Sequence, residues 1–313
     1  MIARLTGSIW FRALLTAAVL AYLASTIHLG DTARALARLS PVAALAVLVL
    51  LAVDRGVIIW RWIILIRATG QRVRAKSAAW IYLVSSFVGS FTPGGIGGDA
   101  ARAYTLTQRT SQGSDAVASI AMDRVLGLFS LILVGSAGMI AWGRQTGRPA
   151  GALLVVAAAG GIACAALLWA DRWVRTILPV RWQQIGLGRR LTRLADAISQ
   201  YRRQPRALIV VLLLSIGLQL LRIVQAYLLG VGIGIDVPFA YYLVFMPVGL
   251  IGLLLPISVG GFGLPQGFIV ALLQAQAVAK PEALALSTLI VLSGLLANVP
   301  GALLYLRSRQ PRA

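Results

Sequence analysis

Apolar runs of membrane-spanning length constrain this chain more than any other feature. Residues 10–29, 41–66, 115–142, 150–170, 206–230 and 283–306 are predominantly hydrophobic stretches. Each has the length, about 20 residues, that bridges a hydrocarbon core as an α-helix. Two other apolar regions cannot be continuous helices. Residues 78–111 are interrupted at TPGGIGG and residues 239–276 at PISVGGFGLPQG, where proline removes a backbone donor and glycine lowers helix propensity. The expected fold class is an all-α polytopic membrane protein with about six spanning helices and two broken, re-entrant segments in an inverted repeat. Composition agrees: 59% of the 313 residues are hydrophobic and 12% charged, and the mean hydropathy is +0.85, outside the range of soluble domains.

Shifting the chain by roughly 164 residues lays one half's element order on the other's: span 41–66 on 206–230, the first broken segment on the second, and span 115–142 on 283–306. The expected organisation is one membrane domain, with residues 1–148 as the first repeat and 149–313 as the second. Charge decides how the broken segments lie. Of 29 basic residues, nine fall between Arg172 and Arg206, four between Arg67 and Lys76, and three from Arg307 onward. If both broken segments turn back as re-entrant hairpins, these clusters share the cytoplasmic side with both termini. The outer side then keeps Arg34, Arg38, Arg144, Arg148 and Lys280, as the positive-inside rule requires. A fully crossing first segment would move the nine-residue cluster outside. With hairpins, each half has three crossings, an odd number, so the second half inserts upside down relative to the first and the two hairpin tips meet near mid-membrane. Irregular backbone at that depth must line a polar cavity or be buried in protein.

The N-terminal run after Arg4 and Arg12 resembles a secretory signal, but ASTIHLG offers no convincing cleavage site, and the run reads as an uncleaved first span. Between the halves, Leu187, Leu191, Leu194, Ile198 and Tyr201 share one helical face, with Arg189, Arg190, Arg193, Arg202 and Arg203 on the rest. This predicts an amphipathic helix at about 185–203 lying on the cytoplasmic headgroups as a linker between the repeats.

The charged residues inside the apolar segments are the candidate site. Asp99 and Arg102 follow the glycine turn at helical spacing, where the first amides of a half-helix and an arginine fork suit a phosphate headgroup; Asp99 also reads as an ordinary N-cap. Asp123 and Arg124 stand about 12 Å along their span by helical rise, and Asp54 and Arg55 repeat the pattern in the second span. Intramembrane charges of this kind face a partner or a wet cavity, and both pairs read equally as structural ion pairs. Arg61, nearer a span end, is expected to snorkel. Arg222 lies deep in span 206–230, flanked by Gln219 and Gln225 on the same face.

Enzyme signatures are missing from the sequence. His28 is the one histidine, so no metal site and no serine or cysteine nucleophile with a histidine partner is expected, and no GxxxxGK[ST] loop points to ATP. The lone Cys164 reads as a packing residue. The net charge of +20 is explained by loop topology, and no aromatic interleaving marks a nucleic-acid surface.

The stretches SFVGSFTPGGIGGDAARAY, AMDRVLGL and LLPISVGGFGLPQGFIVALL resemble the flippase-like membrane region of lysylphosphatidylglycerol synthases, a family that also occurs as stand-alone membrane proteins. By this resemblance Gly94, Gly95, Gly97, Gly98, Asp99 and Arg102 match the first family motif, Asp123 and Arg124 the second, and Pro256, Gly260, Gly261 and Gly263 the third. Thr92, Ser258 and Gln266 join these residues and Arg222 as candidate substrate-binding positions. After the last turn the family commonly shows Arg-Glu where this chain has Pro265 and Gln266, which implies a different lipid or a substituting role for Arg222. The resemblance implies a carrier that moves an anionic lipid or lipid-linked intermediate across the cytoplasmic membrane, with no cofactor. No lysyltransferase activity is expected, since the sequence ends at Ala313, just beyond its last span. Other readings are an accessory subunit or membrane-embedded transferase working with a separate glycosyl- or aminoacyltransferase, and a small-ion or solute transporter.

Overall fold

The computed structural model describes residues 37–92, 95–109, 113–147, 158–163, 166–177, 185–254 and 264–307, with a few isolated positions besides. Every regular element among them is helical: α1 Pro41–Ala68, α2 Ala75–Gly89, α3 Ile96–Thr107, α4 Gly113–Thr146, α5 Ala170–Ile177, α6 Gly186–Gln200, α7 Pro205–Gly232, α8 Phe239–Leu254, α9 Leu264–Gln274, α10 Lys280–Leu296 and α11 Val299–Arg307. The expected span 10–29 and most of span 150–170 lie outside the described residues.

Among the described residues, four stretches are long and apolar enough to cross a membrane: α1, α4, α7 and the run Lys280–Arg307. Both α1 and α7 are 28 residues long, or about 42 Å at the helical rise. Each begins on a proline, Pro41 or Pro205, whose missing amide costs nothing in a first turn. Their outward faces carry Val42, Leu45, Val49, Ile209 and Leu213, all exposed, while Asp54, Arg61, Ser215, Gln219 and Gln225 are buried. Apolar outside and polar inside is the pattern of helices solvated by lipid.

The last span departs from the sequence expectation. In place of one helix over 283–306 there are two, α10 and α11, separated by a turn at Ala297–Asn298. Pro300, the second residue of α11, cannot donate to a carbonyl in the turn before it, so the helix restarts there.

α1 and α7 occupy matching positions 164 residues apart, and they run antiparallel along their full length. The Ser40 amide donates to Gly232 O at one end, Asp54 meets Arg222 in the middle, and Arg61 meets Ser215 further along. Antiparallel pairing of matching elements is the geometry an inverted repeat produces.

The two broken segments are helical hairpins. α2 and α3 have 15 and 12 residues, about 22 and 18 Å, so neither arm bridges a core of about 30 Å. Their tight approach requires Gly98, where a Cβ would stand 2.6 Å from Ser85 O and 2.8 Å from Gly89 Cα. α8 and α9, with 16 and 11 residues, form the second hairpin, tied by Tyr241 Oη donating to Leu272 O at 2.7 Å. Each hairpin is clasped by the closing helix of the other half. Gly301 of α11 lies against the Leu83 carbonyl of α2, and Gly138 of α4 against the Leu243 backbone of α8, with no room for a side chain at either glycine.

α6 corrects an expectation. The amphipathic helix is present at Gly186–Gln200 with a 3-10 turn over Tyr201–Arg203, but its apolar face does not lie on headgroups. Ala197, Ile198 and Tyr201 pack with Leu65, Met122, Leu126 and Val211, so the face is covered by α1, α4 and α7. Leu191 remains exposed. Burial pushes the Tyr201 phenol far above its usual range, keeping it a donor to Leu65 O at 2.9 Å.

Candidate functional site

The cavity begins with polar stripes on the long helices. Asp54, Ile58 and Arg61 of α1 recur at i, i+4 and i+7, and Ser215, Gln219 and Arg222 do the same on α7, so both stripes face inward at the helix contact. Asp54 stands 13 residues into α1, about 20 Å along it, at the middle of this 28-residue helix. There Asp54 accepts from Arg222 Nε at 2.8 Å and pairs with Arg55 Nη2 at 2.9 Å. Arg55 Nη1 donates to Asn298 Oδ1 at 3.1 Å, and Asn298 Nδ2 donates to Ser90 Oγ at 2.7 Å. The break between α10 and α11 thus binds the tip of the first hairpin to the centre of α1.

A second chain of ion pairs runs through α1, α3 and α4. Arg61 Nη2 pairs with Asp123 Oδ1 at 2.7 Å, and Arg61 Nη1 donates to Ser215 Oγ at 3.0 Å. Arg102 donates from Nη1 to Asp123 Oδ2 at 3.2 Å and from Nη2 to Asp99 Oδ1 at 3.1 Å. The Arg102 guanidinium also lies 5.1 Å from the Trp62 ring centre and 5.0 Å from that of Tyr82, within cation–π range. Asp99 then accepts from Arg124 Nε at 2.7 Å.

The turn at the hairpin tip is shaped to admit Arg124. Gly95 has φ +72°, and a Cβ there would press on Arg124 Nη2 at 3.1 Å. Thr92 Oγ1 donates to Gly89 O and accepts the Gly97 amide at 3.1 Å, so Thr92 caps the start of α3 as well as lining the cavity. Asp99, weighed above as an N-cap, sits past the first three residues of α3 and serves in the ion-pair chain instead.

These residues line one cavity of about 610 Å³, the size of a small-molecule site. The first hairpin contributes Gly89, Ser90, Thr92, Gly95, Gly98, Asp99 and Arg102, and the second contributes Met246, Gly249, Leu250 and Ile269. Among the described residues, five lining arginines (55, 61, 102, 124, 222) against three aspartates (54, 99, 123) leave an excess of two positive charges. Leu51, Ile58, Leu128, Leu131 and Ile290 supply apolar wall.

The structure brings Thr92, Gly95, Gly98, Asp99, Arg102, Asp123, Arg124, Arg222, Asp54 and Arg55 to this cavity; Gly97 backs onto Thr92 beside it. Gly94, Ser258, Pro256, Gly260, Gly261 and Gly263 lie outside the described residues, as does the Gln266 side chain. Arg61 corrects the expectation of a snorkelling residue: its side chain keeps 7% exposure and is locked to Asp123. Asn298, Ser90, Trp62 and Tyr82 were not singled out in the sequence. Of these only Asn298 carried a signal, standing two residues before Pro300 in LLANVP.

Helices of spanning length around a charged mid-depth cavity define an integral, multi-pass membrane protein. The family model for the lysylphosphatidylglycerol synthase TM region matches residues 9–301. The chain belongs to that family of membrane regions. None of the curated proteins compared with the chain matches it.

Proposed function

We propose that the protein is a flippase-like carrier that moves an anionic lipid or lipid-linked intermediate across the cytoplasmic membrane without altering it chemically. The observation that carries this reading is the mid-depth cavity with its excess of two positive charges. A cleft of one charge sign with low-dielectric walls focuses its field, so such a site attracts a headgroup anion while acyl chains stay among the exposed apolar faces of α1 and α7. With no nucleotide-binding motif in the sequence, movement runs downhill or is coupled to an ion through Asp54, Asp99 or Asp123. The basic clusters at Arg67–Lys76 and Arg172–Arg206 favour placing those loops and both termini in the cytoplasm. A separate glycosyl- or aminoacyltransferase is the kind of partner that would supply or consume a lipid-linked substrate.

Purified protein in liposomes is expected to exchange acyl-labelled phosphatidic acid or phosphatidylglycerol between leaflets above the protein-free rate. Arg124→Gln removes a charge-assisted contact and is expected to slow exchange by about tenfold. Full activity in that variant, or ion flux without lipid movement, contradicts the proposal.

A further inference from the structure

The five cavity arginines differ in which edge of the guanidinium they use. Arg55, Arg61 and Arg102 each spend both Nη atoms on protein partners. Arg124 and Arg222 hold Asp99 and Asp54 through Nε, and among the described residues their Nη atoms have no hydrogen-bond partner. Their side chains are 44% and 28% exposed, against 4% for Arg102. A guanidinium anchored at Nε presents its two Nη groups end-on, as a fork matching two phosphate oxygens. The inner arginines are therefore positioning residues, and Arg124 and Arg222 are the two free forks.

The charge balance bears on what the forks take. Residues 251–263, IGLLLPISVGGFG, contain no ionisable side chain. A phosphodiester headgroup brings one negative charge. A phosphomonoester brings nearly two above its second pKa of about 6. The dianion matches the excess of two carried by the described lining residues, and a cleft of one charge sign with low-dielectric walls holds the more highly charged anion more strongly. Gln225 adds a neutral donor: it lines the cavity, is 6% exposed, and its Nε2 has no partner.

We propose that the cavity selects a lipid whose headgroup ends in a phosphate dianion, a phosphomonoester, over singly charged phosphodiester lipids, with Arg124 and Arg222 each closing an end-on fork on its oxygens. The selection deepens, and rests on, the carrier reading above. The shared chemistry is the phosphate dianion, which inorganic phosphate also carries, so the test includes both.

Phosphatidylcholine liposomes holding the full chain and a trace of acyl-labelled phosphatidic acid or phosphatidylglycerol are assayed at pH 8 and pH 5.5. At pH 8 phosphatidic acid is expected to cross about tenfold faster than phosphatidylglycerol, the factor that one charge-assisted contact supplies. The preference is present above the second phosphate pKa and is lost as pH falls below it. Arg222→Gln and Arg124→Gln should collapse the preference at pH 8, and Arg222→Lys, which keeps charge but not the fork, should retain part of it. Phosphatidylglycerol crossing as fast as phosphatidic acid overturns the selection and leaves the carrier reading standing. If neither lipid crosses, both fall. Inorganic phosphate leaving the same vesicles without lipid movement assigns the dianion to a solute and overturns the lipid assignment.

Discussion

Asp123 is the carboxylate on which the inner half of the cavity turns, because two buried arginines, Arg61 and Arg102, converge on it from different helices. Removing one arginine leaves Asp123 with the other but strips away a buried partner, at a cost up to that of a broken buried pair, about 3–5 kcal/mol. Arg61→Gln and Arg102→Gln are therefore expected to lower the thermal unfolding midpoint in detergent markedly. Adding Asp123→Asn to either should lower it further, because the remaining buried arginine then loses this carboxylate, whereas Arg124→Gln should leave the midpoint near wild type. Equal effects for inner and outer arginines would show that no such division exists. The sequence displayed every one of these charges but not their pairing. Arg61 reads as a snorkelling residue because its depth within α1 is visible while Asp123, 62 positions away, is not. Ser90 stayed silent because neutral polar residues in apolar runs are common, and its bond to Asn298 joins residues 208 apart.

Small residues set how closely the helices approach. At Gly98 an added Cβ meets backbone atoms of α2, which cannot move aside as a flexible side chain would, so the hairpin must open. Gly98→Ala is expected to destabilise by about 1–3 kcal/mol, the usual cost of overpacking, and Gly98→Val by more; a melting point unchanged in both would refute the close approach. Tyr201→Phe should cost about 1 kcal/mol through the lost bond to Leu65 O, read in the same assay. Both elements were legible in outline: the TPGGIGG break marked the hairpin and the leucine spacing marked α6. What covers the apolar face of α6 was not, since the same periodicity serves a helix resting on lipid and one resting on α1, α4 and α7. The division of the last span was likewise hidden in an apolar run whose one proline, Pro300, could have been a kink.

Across the molecule, the antiparallel pairing of α1 with α7 and the exchange of hairpin contacts between halves bring the two broken segments to one cavity. The shift of 164 residues and the distribution of arginines made this architecture readable, because hydropathy and loop charge respond to the bilayer itself. The meeting of side chains inside it depends on packing that hydropathy does not record. The proposed topology predicts that single cysteines replacing Arg190 in α6 and Lys280 at the start of α10 react with an impermeant thiol reagent from opposite faces of oriented vesicles; labelling from one face would refute it. The central claim is a water-accessible, cationic cavity at mid-depth, and the most direct measurement is on Ser90→Cys, with Cys164→Ser removing the native thiol. The account predicts that this cysteine, though at mid-depth, reacts with a small negatively charged thiol reagent and that phosphatidic acid slows the reaction. A cysteine at residue 90 that stays unreactive in vesicles, while one at residue 190 labels fully, would contradict it.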